Sequence, residues 1–122
     1  MTSSKNIHDT LVINLKFDNG SIAAISYFSN GNKLLPKEYI EIFSAGSTAI
    51  INDFKELTIY TSKKEKMKLS KQDKGHREEI NQFIASIERG QPQPIPFKEI
   101  YNSTLATFKV IESLKTDKAI SI

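Results

Sequence analysis

The hydrophobic period of the chain changes once along its length, and this change limits the folds that it can adopt. In the first half, apolar and polar side chains alternate, as at Leu11 and Ile13, which predicts half-buried strands. In the second half, apolar residues recur at spacings of three and four, as at Ile80, Phe83 and Ile84, which predicts helices. Strands that precede the helices, without alternating with them, predict an α+β domain.

Turn signals divide the first half into short strands. Asp18-Asn19-Gly20 separates the first two strands and Gly46 follows the third, because Asn and Gly tolerate the positive φ of tight turns. The predicted strands cover residues 10–17, 22–28, 39–44, 48–51 and 57–60, with a weaker one at 67–69. We therefore expect a largely antiparallel open sheet, arranged as a meander.

Two helices are predicted after the sheet. The first runs from about His76 to Arg89, and Gly90 is its C-terminal signal. Three prolines make residues 91–96 a stiff connector, and the second helix runs from about Phe97 to Lys115. Residues 119–122 are a candidate last strand. Both helices are expected to pack on one face of the sheet, so that a subunit or second domain covers apolar residues of the other face, namely Val12, Ile25, Tyr27, Ile40 and Ile42.

Length and composition indicate one domain in a reducing compartment. The 122 residues suit a single core, with residues 1–9 as a flexible tail and residues 10–122 as the domain. The absence of cysteine excludes disulfides and thiolate metal ligands, and the N-terminus lacks the apolar run of a signal peptide. No apolar stretch approaches the roughly 20 residues of a membrane span. We expect a cytoplasmic protein without membrane contact.

The net charge of +3 is concentrated in one stretch, residues 63–74, which holds six lysines against Glu65 and Asp73. A nucleic-acid track normally adds arginine forks or stacking aromatics, and this stretch has neither. Lysines on an edge strand also discourage sheet-to-sheet aggregation. A solvated edge is therefore favoured over phosphate binding, and we expect no nucleic-acid partner.

Three parts of the chain occur in an order typical of a known family. They are the strand, turn and strand LVINLKFDNGSIAAISY at 11–27, the strand KEYIEIFSAG at 37–46, and a closing helix pair with GHREEINQF at 75–83, PIPF at 94–97 and STLATFKVIES at 103–113. Together they resemble the C-terminal part of the Gfo/Idh/MocA oxidoreductases, the family of glucose-fructose oxidoreductase and inositol dehydrogenase. The resemblance implies an α+β domain whose exposed sheet face pairs subunits, and hence a homodimer.

The resemblance also implies a Rossmann domain that holds NAD or NADP in the full-length family protein. The nucleotide loop needs closely spaced glycines, whereas the glycines here stand at 20, 31, 46, 75 and 90 and form no G-x-G-x-x-G. The family's Glu-Lys-Pro lysine and its proton-transfer residues precede the region matched here. We therefore expect this chain to bind no cofactor by itself and to be catalytically inert on its own.

In sugar-acting relatives, the loop that leaves the second strand approaches the substrate. The matching positions here are Tyr27, Asn30, Asn32, Lys33 and Lys37, whose hydroxyl, amide and ammonium groups suit sugar hydroxyls or an anion. The alternative is that Tyr27 packs in the sheet and that the Asn-Gly-Asn segment only connects strands, and this alternative is favoured.

The two histidines indicate no metal site. His76 stands at a predicted helix start, where a solvent-facing or capping role is more common than a catalytic one, and His8 lies in the polar tail. With no third histidine in the chain, a metal site is not expected at either.

Three functions therefore remain open. The first is the substrate and dimerisation part of a Gfo/Idh/MocA-like oxidoreductase. The second is a stand-alone structural or interaction module that self-associates through its open sheet face. The third is nucleic-acid binding through residues 63–74.

Overall fold

A computed structural model describes residues 10–122 of the chain. Its elements are β1 (Thr10–Lys16), β2 (Ile22–Phe28), β3 (Tyr39–Ser44), β4 (Ser47–Asn52), β5 (Glu56–Tyr60), β6 (Lys64–Lys68), α1 (His76–Glu88) and α2 (Phe97–Thr116). The predicted α+β class, with strands before helices, is confirmed. The predicted flexible tail lies outside the described residues.

The strands form two antiparallel sheets where the sequence predicted one. β1 and β2 form a hairpin, and the other four strands form a sheet in the order β3-β4-β5-β6. Residues 29–38 separate β2 from β3 and contain Gly31 and Pro36, which favour turns over a continued strand. No described strand spans residues 119–122, so that candidate strand was wrong.

The chain consists of two compact units. One comprises residues 27–76 together with 10 and 11, and it contains the four-stranded sheet. The other comprises residues 12–26 and 77–122, and it contains most of the hairpin and both helices. The packing of the helices on one sheet face stays a prediction.

The hairpin follows from its sequence pattern. Leu11, Ile13 and Leu15 are half-buried while the residues between them are exposed, which confirms the predicted alternation. The turn is closed by a hydrogen bond from the Gly20 N–H to the Phe17 carbonyl at 2.9 Å. Gly20 adopts φ 85°, a conformation that glycine accepts without the steric penalty of a Cβ.

Two tight turns hold the four-stranded sheet in register. Between β3 and β4, Ala45 and Gly46 both have positive φ (46° and 76°) and Ser44 pairs with Ser47. Between β4 and β5, Asp53 and Phe54 also have positive φ (55° and 46°). Positive φ at both central residues is the requirement of a type I′ turn, whose twist matches that of the flanking strands.

A segment after β6, residues 69–75, crosses back over the β4–β5 turn, and we name it the strap. Backbone bonds join Leu69 N to Lys55 O at 2.8 Å and Asp73 N to Phe54 O at 3.0 Å, the Gln72 amide donates to the Asp53 carboxylate at 2.7 Å, and the Lys74 ammonium pairs with Glu38. These bonds connect residues far apart in sequence, so the strap fixes the turn and the start of β3 together.

The ion pair of the strap predicts acid sensitivity. The hydrogen bond from Lys74 lowers the pKa of Glu38 below its ordinary value of 4.5. A lowered folded-state pKa stabilises the fold above the unfolded pKa, and this stabilisation is lost as the pH falls through the folded value. We expect Glu38→Gln to lower the urea midpoint at neutral pH and to have no effect at a pH well below 4.5.

Lys74→Met should reproduce this loss, and the double variant should lose no more than either single variant. An effect of Glu38→Gln that is equally large in acid would contradict the role of the ion pair.

Both helices end as their sequences indicate. After α1, the Gly90 N–H donates to Ile87 O at 3.1 Å and the Gln91 N–H to Ser86 O at 2.8 Å, with Gly90 at φ 61°. This is the Schellman arrangement, so the predicted glycine signal is confirmed. α2 begins directly after Pro96 and ends at Asp117, which is left-handed at φ 52°.

Neither described helix combines the length and hydropathy that crossing a membrane requires.

Candidate functional site

The residues predicted to contact substrate lie in one exposed stretch of the chain. Tyr27 belongs to β2 and is 56% exposed, while Asn30, Asn32, Lys33 and Lys37 lie between β2 and β3. The Asn32 side chain accepts a hydrogen bond from the Leu34 N–H at 2.9 Å, so it serves the local turn. Within residues 10–122, no hydrogen bond joins the side chains of these five. Their contact with a substrate stays a prediction.

Two depressions on the surface of the described residues lack histidine and carboxylate groups. A depression of about 340 Å³ lies along the hairpin, lined by residues 14–16 and 22–24. A second of about 190 Å³ lies at the end of α1 beside Arg89 and Pro92. Neither is lined by histidine or a carboxylate. In the described part of the chain, no three metal-ligating side chains come together, and His76 is exposed at the first position of α1.

The four-stranded sheet has two chemically different faces. Cross-strand partners in an antiparallel sheet project from the same face, so the register assigns each side chain. One face, here named the apolar face, consists of Ile40, Ile42, Ser44, Ser47, Ala49, Ile51, Leu57, Ile59, Glu65 and Met67. The other, here named the mixed face, consists of Tyr39, Glu41, Phe43, Thr48, Ile50, Asn52, Glu56, Thr58, Tyr60, Lys64, Lys66 and Lys68.

The polar groups of the mixed face are largely paired with one another. Lys66 forms an ion pair with Glu56 at 2.9 Å, and this bond lowers the pKa of the Glu56 carboxyl. The Lys64 ammonium lies 5.3 Å from the centre of the Tyr60 ring, a cation–π geometry. Much of the lysine charge is therefore already engaged within the sheet.

Tyr39 is held on the mixed face by a local bond. Its hydroxyl donates to the Glu41 carboxylate at 2.9 Å, and this hydrogen bond raises the pKa of Tyr39. Both side chains belong to β3, which is an edge strand of the sheet among the described residues.

Part of the lysine-rich stretch, for which a solvated edge was predicted, forms the edge strand β6. β6 is an edge strand, and its three lysines alternate onto the mixed face while Glu65 and Met67 project from the other. Lys63 forms a further ion pair with Glu65 at 2.9 Å. The expectation that nucleic acid is no partner stays a prediction.

The apolar face offers hydrophobic surface instead of chemistry. Its only ionisable side chain is Glu65, at one corner, and its middle is formed by Ile51, Leu57 and Ile59. Ile42 and Met67, on the two edge strands, are 51% and 56% exposed. The middle residues are half-buried, and exposed apolar side chains on both edge strands of one sheet face are typical of an association surface.

Sequence reasoning found part of this face and missed the rest. Ile40 and Ile42 were predicted to need cover and lie on the apolar face, whereas Val12, Ile25 and Tyr27 lie on the separate hairpin, where they are exposed. The contributions of β4 and β5 were missed because Ala49-Ile50-Ile51 shows no alternation that would assign a face. The flanking alternation of Lys64, Lys66 and Lys68 was the available signal.

Comparisons of the chain with protein-family models, with curated proteins and with solved structures found no match. The Gfo/Idh/MocA resemblance therefore remains a prediction that depends on the stretches quoted above.

Proposed function

We propose that this chain is the substrate and dimerisation part of a Gfo/Idh/MocA-like NAD(P)-dependent oxidoreductase of the cytoplasm, and that its own activity is self-association. The apolar face is the observation that carries the proposal. A face of isoleucine, leucine and methionine that spans four strands loses water favourably when a matching surface covers it. A second copy supplies such a surface by symmetry.

The proposed division of labour assigns chemistry to another domain. The five glycines of this chain are too far apart for a nucleotide loop. The exposed residues from Tyr27, at the end of β2, to Lys37 carry hydroxyl, amide and ammonium groups without a nucleophile and base pair. Substrate contact by this loop would position a ligand for a reaction whose hydride carrier is held elsewhere.

Two measurements test the proposal. Isothermal titration with NAD and with NADP should give no saturable heat, because the chain has no loop to hold a pyrophosphate. Light scattering across about a hundredfold range of protein concentration should give a mass that rises above that of one copy. Saturable nucleotide binding, or a single-copy mass at every concentration, would refute it.

A stand-alone interaction module is the second candidate, and the same apolar face favours it. The two candidates differ in their genomic setting. A reading frame that continues upstream of Met1 into a Gly-rich loop supports the oxidoreductase, and a stop codon directly upstream supports the module.

A further inference from the structure

The two edge strands of the four-stranded sheet, β3 and β6, differ in their charged side chains. The β6 edge carries Lys64, Lys66 and Lys68, and charged side chains of this kind deter another strand from pairing. The β3 edge has the sequence YIEIFS, with no lysine and no proline. Natural proteins usually protect the edge strands of a sheet against further pairing. In this sheet, lysines protect β6 and no lysine or proline protects β3.

The free backbone groups of β3 can be assigned. The Asp53 N–H donates to the Glu38 carbonyl at 2.7 Å, which makes Glu38 and Asp53 a hydrogen-bonded pair one step before Tyr39 and Asn52. Hydrogen-bonded pairs alternate along an antiparallel ladder, so Ile40 and Ile42 bond toward β4. The N–H and C=O groups of the alternate residues, Tyr39, Glu41 and Phe43, point away from β4, to the edge with which no other strand of residues 10–122 pairs.

We infer that β3 pairs with β3 of a second copy, antiparallel about Ile42, to form one continuous eight-stranded sheet. A two-fold axis that is perpendicular to the sheet and passes beside one residue of β3 places that residue opposite the same residue of the second copy. An axis at Glu41 would oppose two carboxylates, which is unfavourable. An axis at Ile42 places the two isoleucines side by side and sets Glu41 opposite Phe43 of the second copy, with backbone hydrogen bonds between them.

A second copy fits this edge better than an unrelated peptide does. The segment that the edge must match is already extended and held in place by β4, so pairing requires little further ordering of either strand. The lysine-bearing β6 edge disfavours further strand pairing, so the edge contact by itself joins two copies and does not extend into a fibre. This contact goes beyond the proposed association through the apolar face, because it uses the backbone edge.

Charge variants at Phe43 test the register. Phe43 is 72% exposed and lies on the mixed face, so its replacement leaves the apolar face intact. Phe43→Glu would oppose Glu41 of the second copy at two symmetric places, and we expect the edge association constant to fall about tenfold. Phe43→Lys would oppose the same carboxylate with a cation, and association should be kept. Equal behaviour of the two variants in sedimentation equilibrium would overturn the proposal.

A cysteine variant gives a second readout. The chain has no cysteine, so Ile42→Cys supplies a single thiol. In an Ile40→Lys background, which disables the apolar face, mild oxidation should yield a covalent dimer. The two thiols would form a non-hydrogen-bonded pair, in which opposed Cβ atoms come within about 4.5 Å, at the limit of disulfide geometry. Lys66→Cys, on the lysine-bearing edge, controls for random collision and should cross-link far more slowly. Equal cross-linking rates for the two thiols would refute the edge contact. The contact through the apolar face is tested separately, by the light-scattering mass.

Discussion

Replacing Ile40 by lysine is expected to lower the association constant of the apolar face by about 100-fold. Ile40 is 38% exposed in one copy, so covering the remainder contributes about 0.6–1.1 kcal/mol, and a two-fold interface loses this contribution twice. Two lysine ammonium groups placed against apolar surface add a desolvation cost, which brings the total to the roughly 2.8 kcal/mol that corresponds to 100-fold. Sedimentation equilibrium in a Phe43→Glu background isolates this contact from the edge contact.

The neighbouring residue provides a matched control for this prediction. Tyr39→Lys introduces the same side chain one position earlier, on the mixed face, at a residue that is 59% exposed. It should leave the association constant within about threefold of the reference, since surface substitutions outside an interface usually change little. If both lysine variants weaken association equally, the effect is one of general charge and the apolar face is not the interface.

Replacing Gly46 by valine is expected to destabilise the sheet unit by about 2 kcal/mol, because a β-branched residue is strongly disfavoured at positive φ. Gly46 has φ 76°, and a Cβ built there meets no atom within 4 Å. The penalty is therefore conformational and involves no clash. Urea unfolding followed by circular dichroism measures it.

The opposite change at the preceding residue tests the same turn. Ala45 has φ 46°, where asparagine is better tolerated than alanine, and Asn-Gly is the preferred pair for this turn type. Ala45→Asn should raise the free energy of unfolding by up to about 1 kcal/mol. A stabilising Gly46→Val or a strongly destabilising Ala45→Asn would show that the turn conformation is wrong.

The element order was predictable because each element carries its own local signal. The alternation of β1, the glycines at turns and the proline connector before α2 placed every helix and strand within a few residues of its position. The division into two sheets was not predictable, since it depends on whether β2 pairs with β3, and no local pattern reports a pairing between distant strands. The strap was missed for the same reason: Lys74 and Glu38 are brought together only by the folded sheet.

The candidate surface was predictable only where a strand alternates. The alternation of Ile40, Glu41 and Ile42 predicts that the two isoleucines share one face of the sheet. β4 is half-buried along almost its whole length, and its sequence does not indicate which residues share a face. The sequence of β3 shows that it lacks the lysines that protect an edge strand. That β3 is an edge at all required the strand order.

The nearest-neighbour order of β3 to β6 also bears on how the chain is made. β4, β5 and β6 each pair with the strand synthesised just before them, so the sheet has low contact order and can form quickly. Residues 39–75, including the strap, emerge from the ribosome before either helix. The apolar face can therefore form on the nascent chain before translation of the helical residues 76–122 is complete.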